Sequence, residues 1–229
     1  MPHPSANRQK TFVLARAEQR ALEAMARRLP ARVMPDHLTA LGVAAAAGIA
    51  AAYALSAGGR GWLWVANGLL VVHWLGDSLD GTLARVRRTE RPTYGYYLDH
   101  LVDAIATALI GIGLGLSPHM LLATGLVIVV AYLVLSINTY LETQALGAFQ
   151  LGYAGVGPTE VRLVLVALNT ALALGAGPGF HVAGLGVTVL DLVGLGAAAI
   201  MLVALAVRAA GNLRMLAARE PARRTASAA

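Results

Sequence analysis

The amino-acid sequence predicts an all-α, polytopic membrane protein with six transmembrane helices and an amino-terminal amphipathic helix at the bilayer interface. Three observations carry that reading. Of the 229 residues, 57 % are hydrophobic and only 13 % charged, where soluble domains carry about 25 %; the mean hydropathy is +0.64. The apolar residues gather into six runs, near 38–57, 62–84, 95–117, 119–141, 159–179 and 184–208, each close to the ~20 residues that cross a hydrocarbon core. The basic residues stand beside those runs rather than within them, as positively charged cytoplasmic loops do.

In chain order, residues 1–37 form a cytoplasmic or interfacial segment. Lys10 to Leu29 reads as a helix with Leu14, Leu22, Met25 and Leu29 on one face and Arg16, Arg20, Arg27 and Arg28 around the rest, the pattern of a helix lying in the interface. Glu18 interrupts the stripe, so a solvated helix or a disordered tail stays open as an alternative. Pro30 and Pro35 end it. Residues 38–210 form a six-helix transmembrane domain and 211–229 a cytoplasmic tail.

Between spans, Gly58, Gly59 and Gly61 break the first gap, Ser117-Pro118 marks a turn, stretch 142–158 reads as a loop, and Gly175 to Gly179 punctuate the last gap. With six spans and the amino terminus inside, all the basic residues except Arg60 fall on one side. That side is the cytoplasmic one. The net charge of +6 and pI near 10.2 would suit nucleic acid, but this distribution argues against it. With no cysteine, a disulfide or thiolate metal site is excluded.

The second and third spans hold the informative stretch, DSLDGTLARVRRTERPTYGYYLDHLVD, from Asp77 to Asp103. Residues three or four apart share a helix face. Asp77, Asp80, Gly81 and Ala84 therefore line one stripe, with His73 a turn before it, and Gly95, Asp99 and Asp103 line another. Two antiparallel helices joined by 87–94 can aim both stripes at one point. Four carboxylates converging there repel one another unless cations lie between them, and hard divalent cations such as Mg²⁺ take oxygen ligands. Chance acidic pairs at helix ends, or ion pairs with Arg85 or Arg88, are the plainer alternative.

These residues resemble the signature of the CDP-alcohol phosphotransferase family, D-x2-D-G-x2-A-R-x8-G-x3-D-x3-D. Asp77, Asp80, Gly81, Ala84, Arg85, Gly95, Asp99 and Asp103 match it position by position, with nine residues rather than eight between Arg85 and Gly95. The resemblance implies an integral membrane enzyme that transfers a substituted phosphate from a CDP-linked donor to an alcohol or lipid acceptor, releasing CMP. It also implies that Asp77, Asp80, Asp99 and Asp103 hold a divalent metal, Mg²⁺ or Mn²⁺, and that Asp103 is the general base on the acceptor hydroxyl. Gly81 and Ala84 would leave room for the cytidine nucleotide, and Arg85 would pair with phosphate. Thr93 and the loop arginines Arg87, Arg88 and Arg91 are further phosphate candidates.

Thr39 and Asp36, at the opening of the first span, are placed near the nucleotide by the same resemblance; Asp36 as a helix N-cap is the alternative. Thr159, Glu160 and Arg162 open the fifth span and are candidates for acceptor or phosphate recognition, with a plain N-cap and a topology charge as the alternative. His100 follows Asp99; the Asp-His and Thr-Glu pairs resemble the choline/ethanolamine phosphotransferase branch. His73 is a partner of Asp77 or a buried structural histidine, and Asp191 suits a structural or subunit contact. The family is typically dimeric, so a homodimer is implied.

Two donors stay open. CDP-diacylglycerol could give a phosphatidyl group to a small polar alcohol, or CDP-choline or CDP-ethanolamine could give its headgroup to diacylglycerol; chain length and composition lean to the first. The expected location is the inner (cytoplasmic) membrane with the site facing the cytoplasm. An ion-coupled carrier is the rival of another class, but it predicts acids spread along a pathway and inverted repeats, neither of which the sequence shows.

Overall fold

The computed structural model describes residues 15–146, 158–176, 180–182 and 185–220. Each expected apolar run finds a helix: α2 (Pro35–Leu55), α3 (Gly61–Arg87), α4 (Pro92–Gly115), α5 (Leu122–Leu146), α6 (Pro158–Ala173) and α7 (Val189–Arg219), after an amino-terminal α1 (Ala15–Arg28). Helices α2, α4, α5 and α7 are long and apolar enough to cross a membrane, α2 together with the 3-10 turn that carries it to Gly58. Helix α3 has the length, 27 residues, but Asn67, His73, Asp77 and Asp80 dilute its apolar run. Helix α6 has 16 residues, about 24 Å at 1.5 Å per residue, short of a hydrocarbon core of ~30 Å.

Local chemistry sets the ends. Pro35 takes the first helical position of α2, where its missing N–H costs nothing. Met34 is the N-cap, and its N–H donates to His37 Nδ1 at 3.2 Å. Asp36, weighed as the cap, instead lies in the first turn. Arg88 adopts a left-handed conformation (φ 56°) that stops α3, and Pro92 opens α4. Helix α5 continues to Leu146, so 142–146 are helical rather than loop; 147–157 lie outside the described residues.

The last span also differs from expectation. Short antiparallel strands β1 (Phe180–Val182) and β2 (Leu185–Val187) precede it, and α7 runs on to Arg219 instead of stopping near 208. Thr188 and Asp191 cap α7 reciprocally, Asp191 N–H to Thr188 Oγ1 at 3.2 Å and Thr188 N–H to Asp191 Oδ2 at 2.8 Å. Asp191 is fully buried and also accepts from Leu121 N–H at 2.9 Å. Its role is structural.

Small residues let the helices close up, as they do where lipid gives no hydrophobic drive. A Cβ on Gly76 of α3 would stand 2.7 Å from Gly42 N and Leu38 O of α2, and one on Gly113 of α4 would stand 2.4 Å from Ala50 Cα. The main apolar core, around Ile49, Tyr53, Leu63, Leu70, Leu114, Met120 and Leu190, occupies the end away from Asp77, Asp80, Asp99 and Asp103. A second cluster joins Leu22 and Ala26 of α1 to Leu38, Leu79 and Leu83, so α1 seats its apolar face on α2 and α3. Arg87 locks that seat. Its guanidinium donates to the carbonyls of Leu29 (3.1 Å), Pro30 (2.9 Å), Ala31 (3.5 Å) and Val33. Those carbonyls belong to the turn that follows α1, and they occupy the guanidinium of Arg87.

Candidate active site

The close crossing at Gly42 and Gly76 brings the start of α2 against the last third of α3. Thr39 Oγ1 then donates to Asp80 Oδ2 at 2.7 Å, while Asp80 Oδ1 accepts from Gly81 N–H at 2.5 Å. On the other side α4 presents Asp99 and Asp103, one turn apart. The two acidic stripes meet: Thr39, Gly42, His73, Asp77, Asp80, Asp99, Val102 and Asp103 line one hollow. Asp77, Asp99 and Asp103 each offer a carboxylate oxygen within 4.8 Å of the others. Asp80 lines the hollow beside that set, its oxygens accepting from Thr39 and the Gly81 amide.

The donor set fits a divalent cation. Three carboxylates at that separation offer oxygen atoms only, the ligands that Mg²⁺ and Mn²⁺ prefer, and their like charges favour a cation between them. Arg162 supplies one positive charge. Reaching across from α6, its Nη2 donates to Asp77 Oδ2 at 2.5 Å, with its side chain only 13 % exposed. The partner of Asp77 is therefore Arg162, not Arg85 or Arg88. His73 sits deeper, 6 % exposed, with its Nδ1 buried and without a hydrogen bond.

The other sequence candidates fall at the rim or outside it. Arg85 is exposed; its Nη2 donates to Thr82 Oγ1 at 2.9 Å, and its Nη1 is the one group that a Cβ on Gly81 would approach, at 3.3 Å. A Cβ on Gly95 would meet nothing within 4 Å. Both motif glycines thus face open space rather than packed helix. Ala84 is half-buried beside Arg85, and Thr93 is exposed in the first turn of α4. Asp36 is paired with Arg91, whose guanidinium also lies 3.8 Å over the Tyr94 ring; neither lines the hollow.

His100 packs between Tyr96 (ring centroids 4.2 Å) and Tyr140 (4.9 Å), with Nδ1 2.7 Å from Tyr96 O and 4.0 Å from Asp99 Oδ2. Glu160 is half-buried in the first turn of α6. Thr159 is no N-cap, since α6 begins at Pro158; its hydroxyl donates to Glu18 of α1 at 3.1 Å. Gly42 and Val102 went unnoticed in the sequence. Gly42 carries a signal in retrospect, three residues after Thr39 on the same face of α2.

Comparison with known proteins completes the picture. The family model for CDP-alcohol phosphatidyltransferase matches residues 32–190, a span that holds the whole hollow and the helices that line it. No curated protein matches the chain closely enough to count as a relative. The match covers more than half of the chain and contains every carboxylate brought together above, so this protein belongs to the CDP-alcohol phosphatidyltransferase family, membrane transferases of substituted phosphate groups that use a CDP-alcohol donor and an alcohol acceptor.

Proposed function

We propose that the protein transfers a phosphatidyl group from CDP-diacylglycerol to a small polar alcohol, releasing CMP. One observation carries this reading: Asp77, Asp80, Asp99 and Asp103, from two helices, surround a single hollow. In the reaction the acceptor oxygen attacks the phosphatidyl phosphorus. The bond from that phosphorus to the bridging pyrophosphate oxygen breaks, and CMP leaves with the oxygen. The acceptor proton goes to the Asp103 carboxylate, which acts as general base.

Family members are generally divalent-metal dependent, and Asp77, Asp99 and Asp103, with Asp80 beside them, would hold the cation. Bound there, a divalent ion such as Mg²⁺ neutralises pyrophosphate charge and stabilises the leaving group. Thr39 keeps Asp80 turned into the hollow. Gly81 and Ala84 leave room for the nucleotide along α3, and Arg85 at the rim offers its planar fork to phosphate oxygens. Arg162, with Thr159 and Glu160 on the same turn of α6, forms the acceptor side.

The same reading makes all six helices α2–α7 spans, with α1 lying at the cytoplasmic surface of the inner membrane and the hollow opening beside it; two copies pair as a homodimer. Helix α3 crosses because its polar side chains face the bundle rather than lipid. Purified protein in mixed micelles is incubated with CDP-diacylglycerol, CDP-choline or CDP-ethanolamine, a panel of acceptors and Mg²⁺, and the lipid product is identified by mass. CMP release with CDP-diacylglycerol, abolished by EDTA and restored by Mg²⁺ or Mn²⁺, is the expected outcome. Turnover of CDP-choline or CDP-ethanolamine alone would transfer the reading to the headgroup branch, and ion flux without CMP would replace it by a carrier.

A further inference from the structure

Glu18 lies on α1, outside the hollow, at a point where three elements meet. Its Oε1 accepts from the Trp74 indole N–H of α3 at 2.9 Å and from the Thr159 hydroxyl of α6 at 3.1 Å. Further along α1 the seat turns apolar, Leu22 and Ala26 against Leu38, Leu79 and Leu83, before Arg87 closes its far end. A lone carboxylate in such a seat is unfavourable unless donors meet it, and here two do. The same carboxylate stands at the amino-terminal turn of α6, where the helix dipole favours negative charge.

That turn matters to the site. Arg162 follows Thr159 by three residues, on the same face of α6, and reaches Asp77 at 2.5 Å. Fixing Thr159 fixes the height and rotation of the turn that presents Arg162. We infer that Glu18 is a positioning residue: it ties the first turn of α6 to α1 and α3 so that Arg162 stands at the acceptor side of the hollow. The amino-terminal helix is then part of the site's framework as well as a surface element. This inference rests on the transferase reading of the hollow.

The test uses the full chain and Glu18→Ala, Glu18→Gln and Thr159→Val. Two readouts are taken. The first is steady-state kinetics with donor and acceptor varied separately. Glu18→Ala raises the acceptor KM about tenfold with donor KM within twofold, and Glu18→Gln, which keeps an oxygen for both donors, recovers most of the loss. The second needs no catalysis. The chain has no cysteine, so cysteines introduced at exposed Val71 of α3 and Val161 of α6 take spin labels cleanly. Their distance distribution broadens or moves in Glu18→Ala and Thr159→Val, and not in Glu18→Gln. An unchanged distribution, or equal losses in both KM values and kcat, overturns the inference. If the parent protein releases no CMP at all, the transferase reading fails, and the distance measurement alone decides whether Glu18 holds α6.

Discussion

At the Asn67 end of α3 the polar side chains complete one another. Asn169 Nδ2 donates to Asn67 Oδ1 at 2.9 Å and lies 3.0 Å from the Tyr53 hydroxyl, while Asn67 Nδ2 donates to Thr170 Oγ1 at 3.0 Å. Tyr53 and Asn169 are essentially inaccessible, at 0 % and 1 %. Ten residues along, the same helix carries Asp77 and Asp80, whose neighbours across the hollow are two more carboxylates. Thr39 and the Gly81 amide meet Asp80, and Arg162 meets Asp77. Polar groups inside a bilayer have to be satisfied within the protein. The first end does so completely and holds α6 to α2 and α3. At the second end four carboxylates line one hollow, the arrangement from which the proposed site is argued.

The sharpest way to break this contrast is Asp103→Asn. CMP release is expected to fall about 10²–10⁴-fold, with the thermal unfolding midpoint in detergent unchanged or raised because like charges have been relieved. Full activity in this variant would remove the general base from the mechanism. Asn169→Leu is the mirror image. It strands Asn67 and the Tyr53 hydroxyl, so unfolding in mild detergent should show a loss of about 1–3 kcal/mol, with activity per folded molecule largely kept. A variant that is stable but inactive would mean that the Asn67 end also serves the chemistry.

Glycines sharpen the same line. Gly113→Ala drives a methyl to 2.4 Å from Ala50 Cα and should cost about 1–3 kcal/mol of stability. Gly81→Ala meets only the flexible end of Arg85, at 3.3 Å. It should fold normally and raise the donor KM several-fold, as titration with CDP-diacylglycerol would show. Equal stability losses in the two variants would erase the distinction between packing glycines and site glycines.

Much of the hollow was legible because helical spacing is local information. Asp77, Asp80, Asp99 and Asp103 share faces by their three- and four-residue intervals, and two short-looped helices bring those faces together. The apolar runs likewise located helices α2 to α7, of which α2, α4, α5 and α7 are long and apolar enough to cross a membrane. Partners chosen across helices were not legible. Glu18 and Thr159 are separated by 141 positions, and no periodicity in either helix announces the pairing, so Glu18 reads only as a flaw in an apolar stripe. Arg87 shows the same limit: an arginine in a short loop looks alike whether it meets phosphate or backbone carbonyls, and here α1's end claims it. The extension of α7 to Arg219 escaped because Arg208, which marks the end of the apolar run, is paired with Glu142 of α5 at 2.6 Å. Helix geometry does not end where hydrophobicity does.

The Gly42–Gly76 crossing has a mechanical consequence. With backbone this close, α2 and α3 cannot slide past each other without collision, so the wall bearing Thr39, Asp77 and Asp80 is a fixed jaw. Helix α4 is different: its buried residues, Ala106 and Gly113 to Gly115, all lie in the half remote from Asp99. Near Asp99 the contact across helices is of another kind, side chain on side chain, with the His100 ring of α4 against Tyr140 of α5 at 4.9 Å.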